Sequence, residues 1–460
     1  MSLLIQWLPL TLPIWLPFLV APLVYLLRRQ ALPAALLGAA TLAVVALWLV
    51  LRPPIEPMAL LGRPLGLSEL GRGLLVLLAG WLAFALLFFA RIPQGWTAFP
   101  VLLLVYGLLA AALFNQQLVI SVIILKLAWL VMILLVQAGA ATNTRAATRL
   151  LVLTVLALPS FLIAATLIEQ QSYQPDLAVP ITWIALMLGL SFALMLAVVP
   201  FHAWLPQVAE DGPPLIAAWL VAGMGGSYLV ILFELLGRYS WLAHDEQFLQ
   251  ALFAAGVLLV VFGGLLALSE NHLGRLWSYV VLIDLGYILL ALSINSTFAR
   301  AAALFAIGTR MLSLLLSGSA LAALRHHATS LHFSALRGLG SRFPLTILAF
   351  GFGTMALIGV PLTASFPSHW AILRLLTEQN NLWLWAVVIA SVLGVAAVLR
   401  AFLVIMSPAE QADDRLETVT PESPVVVALL MALTLFSIFV GTAPQRFNVL
   451  IDFFVRSANF

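Results

Sequence analysis

The chain has 460 residues, of which 63% are hydrophobic and only 8% are charged, and its formal net charge is +3. Soluble domains carry about 25% charged residues, so this composition excludes a soluble protein and predicts an integral membrane protein. The basic residues are scattered, which gives no reason to expect a nucleic-acid partner. The chain has no cysteine, and it therefore forms neither a disulfide nor a cysteine-ligated iron–sulfur cluster. We expect any redox centre to lie in another protein.

Apolar segments follow one another along the whole chain. A spanning helix needs about 20 mostly apolar residues, and the pattern predicts about 14 such spans. The predicted spans are 5–27, 31–51, 73–90, 97–114, 116–137, 148–168, 179–199, 214–236, 250–268, 274–293, 298–324, 344–377, 381–404 and 424–442. The first span has no basic region before it, so we take it as a retained helix. We expect one polytopic, all-α membrane domain over residues 1–460.

Two spans contain residues that interrupt helices. The twelfth span, 344–377, is too long for one straight helix and contains Gly359, Pro361 and Pro367. We expect it to break into two pieces, because a proline inside a helix removes a backbone hydrogen bond. The eighth span contains the stretch "AGMGGS", which predicts close helix packing or a local irregularity.

Arginine distribution predicts the orientation. The loops after spans one, three, five, nine, eleven and thirteen carry more arginines than the loops on the opposite side. Under the positive-inside rule, both termini lie on the outer side of a bacterial inner membrane.

Five ionisable side chains lie within apolar spans. A charge at bilayer depth costs at least about 2.5–3.5 kcal/mol, so such residues are candidates for a proton path. The candidates are Lys126 in the fifth span, Glu234 in the eighth, Asp284 in the tenth, Arg310 in the eleventh and His369 in the twelfth. They form no metal-ligand cluster and no nucleophile–base arrangement in the sequence, which favours transport over bond-making chemistry.

Structural explanations remain open for most of these residues. Glu234 lies four residues from an arginine near a helix end, where the two can form an interfacial pair. Asp284 and Arg310 can form a buried pair that only locks two helices, and His369 can satisfy carbonyl groups freed by the helix break. A purely structural role is hardest to assign to Lys126. It is the only lysine in the chain and lies near mid-span, where snorkelling to an interface is least effective.

Three motifs resemble the antiporter-like membrane subunits of proton-pumping NADH:quinone oxidoreductase, respiratory complex I. The first is "SFALMLAVVPFHAWLP" at 191–206 with the residues that follow it. The second and third are "GRLWSYVVLIDLGYILLAL" and "LIGVPLTASFPSHW". The residues of the first motif that match the family pattern are Pro200, His202, Trp204, Leu205, Pro206, Glu210 and Pro214.

The resemblance implies a specific architecture. The family has two inverted five-helix repeats, which fall here on spans four to eight, about 97–236, and nine to thirteen, about 250–404. The seventh and twelfth helices are broken, the seventh near Pro200, and titratable residues line up at mid-membrane. Broken helices at the centre of inverted repeats are a recurring device in transporters. The motif loop from Pro200 to Glu210 would shape the entry into helix eight.

The chain departs from the family pattern at the charged positions. Lys126 stands where the family has a glutamate, Met195 stands where it has a lysine, and glycines replace the lysine of helix eight. Asp284 replaces a histidine, and His369 replaces a lysine or glutamate. Two interpretations follow from these differences. Either a rewired proton path uses Lys126, Asp284 and His369, or the subunit keeps its fold and place but has lost an intact pump.

The resemblance also implies partners. We expect a complex I subunit of the shorter type, because nothing after residue 442 could form the long lateral helix of larger relatives. Its partners would be other membrane subunits, including homologous antiporter-like ones, and lipids, with flavin, iron–sulfur clusters and quinone held by partner subunits. A subunit of a multisubunit Na⁺/H⁺ antiporter or of a membrane-bound hydrogenase remains an alternative, as does a purely structural scaffold.

Overall fold

A computed structural model describes residues 11–52, 58–60, 63–95, 97–138, 144–173, 181–328, 330–378, 382–408 and 422–457. These residues are almost entirely helical, which confirms the predicted all-α membrane fold. Residues 5–10 of the first predicted span, 179–180 of the seventh and 381 of the thirteenth lie outside the described residues.

The helices follow the predicted spans closely. They are α1 Leu12–Leu26, α2 Ala31–Leu51, α3 Glu69–Phe89, α4 Ala98–Phe114, α5 Leu118–Ala138, α6 Arg145–Tyr173, α7a Ile181–Met195, α7b Trp204–Asp211, α8 Pro214–Arg238, α9 Glu246–Ser269, α10 Leu273–Ser293, α11 Thr297–His327, α12a Pro344–Ile358, α12b Phe366–Glu378, α13 Trp383–Met406, α14 Pro424–Thr442 and α15 Asn448–Ser457. Short helical turns cover Ser240–Ala243 and Phe333–Leu336. A small antiparallel hairpin, β1 Met58–Leu60 and β2 Arg63–Leu65, was not predicted.

The length and apolar composition of the long helices indicate that they span a membrane. Among the described residues, 10 helices are long and apolar enough to cross a membrane. Helices α1, α4, α7a and α12a are also apolar but shorter, so the count of about 14 spans stays a prediction. The chain is a multi-pass membrane protein.

Helix seven is interrupted where the sequence predicts. Helix α7a ends at Met195, a single 3-10 turn covers Phe201–Ala203, and α7b begins at Trp204. Residues 196–200, between α7a and the 3-10 turn, are not helical, which confirms the predicted break near Pro200. Pro206 lies in the first turn of α7b, where the missing amide hydrogen breaks no helical bond.

Helix twelve is also broken. Helix α12a ends at Ile358 because Gly359 adopts a left-handed conformation, with φ of 83°, which glycine adopts far more readily than other residues. Helix α12b begins at Phe366, with Pro367 in its first turn. The predicted break in this region is confirmed.

Helix α8 contains the predicted irregularity. Leu220–Gly225 forms one π-helical turn between α-helical segments Pro214–Trp219 and Gly226–Arg238. Such π-bulges are often found at functional sites.

The chain divides into two compact units. The first contains the described residues of Met1–Leu196, Leu220–Phe248 and Arg456–Phe460, and the second contains Ala197–Trp219 and the described residues of Leu249–Val455. The chain passes from the second unit back to the first within α8. The single-domain assignment and the repeat boundaries stay predictions.

Candidate functional site

Three of the predicted candidates meet in the second unit. Asp284 lies near the middle of α10, Arg310 lies on α11, and His369 lies in the first turn of α12b, with exposed fractions of 0%, 3% and 2%. Arg310 Nη1 donates a hydrogen bond to Asp284 Oδ2 and another, of 3.2 Å, to the Val281 carbonyl. The buried pair suggested by the sequence is therefore present, and a histidine adjoins it.

The hydrogen bonds of His369 define which of its nitrogens is free. Its Nδ1 lies 2.9 Å from the Ser365 carbonyl oxygen, and a carbonyl only accepts, so Nδ1 carries a proton. Nε2 is then the nitrogen that gains or loses one. It lies 3.7 Å from Asp284 Oδ1, and neither atom has a hydrogen-bond partner among the described residues. A small approach of the two groups, or one bridging water, would let a proton pass between them.

The broken helix makes room for His369. A Cβ atom added at Gly359 would lie 2.6 Å from His369 Cγ, closer than such atoms approach. The glycine that ends α12a therefore also admits the imidazole ring. The Ser365 carbonyl accepts the backbone hydrogen bond from His369 N at 3.0 Å, and its second lone pair is available to orient that ring.

Lys126 occupies a different environment in the first unit. Its exposed fraction is 3%, and its Nζ lies over the ring of Tyr228 on α8, 5.4 Å from the ring centroid. Nζ has no hydrogen-bond partner among the described residues. The Tyr228 ring in turn packs against Phe161 and Phe192, with centroid distances of 5.8 Å and 5.9 Å. The ammonium is thus held against an aromatic cluster, where a cation–π contact stabilises it.

Glu234 is hydrogen-bonded to the residue that precedes α3. Its Oε1 accepts a hydrogen bond from Ser68 Oγ. Ser68 also caps α3, because the same hydroxyl oxygen accepts from Gly71 N at 3.0 Å. This arrangement joins α8 to the start of α3, and the role of Glu234 in a proton path stays a prediction.

The part of the first motif from Ala197 onward lies in the second unit, where it contacts α10. His202 lies in the 3-10 turn, its ring centroid 6.4 Å from that of Tyr279, and burial lowers the pKa of this histidine. Trp204 is buried, so its ring packs inside the protein. Glu210 Oε2 lies 3.8 Å from Arg275 Nη1, at the start of α10.

The end of α7b is held by charge as well as by packing. Arg325 on α11 donates hydrogen bonds to the backbone carbonyls of Glu210, Asp211 and Gly212. A cation is favourable at a helix C-terminus, where carbonyl groups lack helical partners. Helix α7b also packs against the first turn of α10 so closely that a Cβ at Gly274 would overlap the Ala209 carbonyl.

We expect Gly274→Ala to destabilise this connection by about 1–3 kcal/mol, because the added methyl group forces α7b away from α10. The measurement is the thermal-unfolding midpoint of the tagged chain in its purified membrane assembly. Gly308→Ala on α11 is the matched control, because in the described part of the chain no atom lies within 4 Å of the added methyl group apart from the adjacent residues and the backbone of its own helix. Equal midpoints for the two variants would contradict this packing.

Comparison with known families identifies the chain. Residues 115–394, more than half of its length, match the model described as "NADH:quinone oxidoreductase/Mrp antiporter, TM". The chain belongs to this family. The resemblance found in the three sequence motifs is thereby confirmed.

Curated proteins are similar to parts of the chain. "NADH-quinone oxidoreductase subunit N" of Chromohalobacter salexigens is 30% identical over 48% of this chain and 47% of its own length. "F(420)H(2) dehydrogenase subunit N" of Methanosarcina mazei is 28% identical over 54% of this chain and 52% of its own length. The chain spans about half the length of these curated relatives.

Solved structures share the fold over nearly the whole chain. A chain of the archaeal "membrane-bound sulfane sulfur reductase (MBS)" superposes with a TM-score of 0.82 at 20% identity, covering 98% of both chains. A chain of respiratory complex I from Thermus thermophilus gives a TM-score of 0.75 at 21% identity, covering 95% of this chain and 98% of that chain. At these identities the similarity shows the fold alone.

Two tyrosines near the candidates were not predicted from the sequence. Tyr287 lies three residues after Asp284, so helical spacing could have placed both on one face of α10. Tyr228 follows the glycine stretch of α8, and nothing in the sequence connects it with Lys126.

Proposed function

We propose that this chain is an antiporter-like membrane-arm subunit of a NADH:quinone oxidoreductase-type proton translocase, and that its second unit conducts the proton. The observation that supports this most directly is the approach of Asp284 Oδ1 to His369 Nε2 at 3.7 Å. An acid and a base that face each other within apolar helices suit proton transfer across the membrane.

Arg310 orients the carboxylate of Asp284. Arginine stays protonated in proteins, so Arg310 holds charge and does not carry the proton itself. By binding Asp284 Oδ2 it leaves Oδ1 as the oxygen that faces the imidazole. His369 then takes up a proton at Nε2 and passes it to the carboxylate, or receives it from there, while Nδ1 stays bonded to Ser365.

The first unit lacks an equivalent acid–base pair in its described part. Lys126 faces an aromatic ring and has no acceptor beside it, and Met195 stands where the family pattern has a lysine. We therefore propose that the first unit keeps the fold but no longer conducts protons. This combines the two interpretations of the sequence: one half of the subunit transports and the other half supports it.

The proposed partners supply the electron transfer. Flavin, iron–sulfur clusters and quinone would belong to partner subunits, and this chain would carry no redox centre. Its neighbours would be homologous antiporter-like subunits and lipids of a bacterial inner membrane, with both termini on the outer side. Curated relatives named as NADH-quinone oxidoreductase subunits support this choice over an antiporter or a hydrogenase.

Purification of the intact complex through a tag on this chain tests the proposal. Mass spectrometry of the subunits, flavin and iron content, and NADH:quinone activity are measured on the same sample. We expect flavin- and iron–sulfur-bearing partners together with NADH oxidation. Partners without redox groups would indicate a Na⁺/H⁺ antiporter instead, and a nickel-containing partner would indicate a hydrogenase.

A further inference from the structure

We propose that Tyr287 is a positioning residue, which, anchored by Ser391 of α13, holds the His369 ring in the orientation that proton transfer requires. This inference rests on the proposed function, because it concerns the same acid–base pair. Ser391 adds α13 to the three helices, α10, α11 and α12b, that carry Asp284, Arg310 and His369. The sequence alone did not single out Tyr287 or Ser391.

The hydrogen bonds around Ser391 determine which hydroxyl donates in the bond between Tyr287 and Ser391. Tyr287 Oη lies 2.8 Å from Ser391 Oγ, and either hydroxyl could donate. Ser391 Oγ also lies 2.9 Å from the Val387 carbonyl oxygen and donates its proton there. A hydroxyl has one proton, so Tyr287 is the donor to Ser391. The chain of hydrogen bonds ends at a backbone carbonyl, which makes it an anchor for the tyrosine and not a branch of the proton path.

The anchored ring contacts His369 directly. The centroids of the Tyr287 and His369 rings are 4.1 Å apart, with 49° between their planes. The backbone of Gly359 lies against the other atoms of the same side chain, since a Cβ there would be 2.6 Å from His369 Cγ and 2.7 Å from its Cβ. The Ser365 carbonyl fixes Nδ1. Three contacts therefore leave Nε2 pointing at Asp284.

Through this arrangement, the position of α13 affects the distance between His369 Nε2 and Asp284 Oδ1. The gap of 3.7 Å between Nε2 and Oδ1 exceeds an ordinary hydrogen bond, so a small shift of the imidazole decides whether the two groups meet. Tyr287 lies on α10 with Asp284, and its anchor lies on α13. A displacement of Ser391 would move the tyrosine ring and, with it, the imidazole packed against it.

The test uses Tyr287→Phe and Ser391→Ala in the intact complex reconstituted into liposomes. Tyr287→Phe keeps the ring but removes the donor, and Ser391→Ala removes the acceptor. Proton translocation per electron and NADH:quinone electron transfer are measured together, with His369→Gln as reference. Tyr106→Phe is the matched control, because Tyr106 is also buried and donates a hydrogen bond of 3.0 Å, to the Leu75 carbonyl.

We expect each of the two variants to lose at least about half of the proton translocation that His369→Gln removes, because a misplacement of about 1 Å can cost about 10²-fold in rate. Electron transfer and the Tyr106→Phe control should stay at the wild-type level. The double variant should lose no more than either single one, since both remove the same bond. If Tyr287→Phe fails to assemble, Ser391→Ala alone decides the result.

An unchanged proton-to-electron ratio in Ser391→Ala and Tyr287→Phe, with a lowered ratio in His369→Gln, would overturn the positioning role and leave the proposed function intact. An unchanged ratio in His369→Gln would instead overturn the proposed function, and the positioning role with it.

Discussion

Replacing Asp284 with asparagine is expected to destabilise the chain by about 3–5 kcal/mol, because it leaves a buried guanidinium without its counter-charge. Arg310 is 3% exposed, and its Nη1 bonds only Asp284 and the Val281 carbonyl among the described residues. The measurement is the thermal-unfolding midpoint and the yield of the assembled complex.

The double variant Asp284→Asn with Arg310→Met separates pairing from transport. Removing both charges should restore most of the lost stability, since apolar replacement of a buried ion pair is often neutral or stabilising. Proton translocation should stay lost, because His369 Nε2 no longer faces a carboxylate.

Glu378→Gln is the matched control for Asp284→Asn, because it also replaces one paired carboxylate by an amide. Glu378 pairs with Arg374 at 3.1 Å, but the side chains are 58% and 70% exposed. Such a surface pair contributes about 0–1 kcal/mol, so its loss should barely change the midpoint. An Asp284→Asn variant as stable as the Glu378→Gln control would contradict the buried pairing.

Replacing Lys126 with methionine is expected to stabilise the chain, by about 1–4 kcal/mol, because an apolar side chain of similar length fills the site without a buried charge. The ammonium has the Tyr228 ring beside it but no hydrogen-bond partner among the described residues. The cation–π contact offsets part of its desolvation cost, by about 0.5–2 kcal/mol.

A second substitution, Tyr228→Leu, checks that the aromatic ring holds the lysine. In the wild-type background it removes both ring packing and the cation–π contact, whereas in the Lys126→Met background it removes the packing alone. The destabilisation should therefore be smaller in the second background. A Lys126→Met variant that is less stable than the wild type would contradict the expected stabilisation. One that assembles normally but loses proton translocation would support the rewired path instead.

The sequence predicted the features that follow from single residues. Gly359 and Pro200 each interrupt a helix by their own backbone chemistry, so both breaks could be placed in advance. Asp284, Arg310 and His369 could be singled out because charges are costly in apolar helices. Which of them meet depends on the packing of α10, α11 and α12b.

Other features depend on contacts between distant parts of the chain. Glu234 bonds Ser68, which lies 166 residues away, so nothing in the sequence indicated this partner. The cation–π contact of Lys126 with Tyr228 depends on how α5 and α8 pack within the first unit. The hairpin was missed because each strand has only three residues, too few to show an alternating pattern.

The central claim is that the second unit conducts protons and the first does not. The most direct measurement is the proton-to-electron ratio of the purified complex in liposomes, with wild-type chain, His369→Gln and Lys126→Met compared at equal electron-transfer rates. The account predicts a lowered ratio for His369→Gln and an unchanged ratio for Lys126→Met. A lowered ratio for Lys126→Met together with an unchanged ratio for His369→Gln would contradict it.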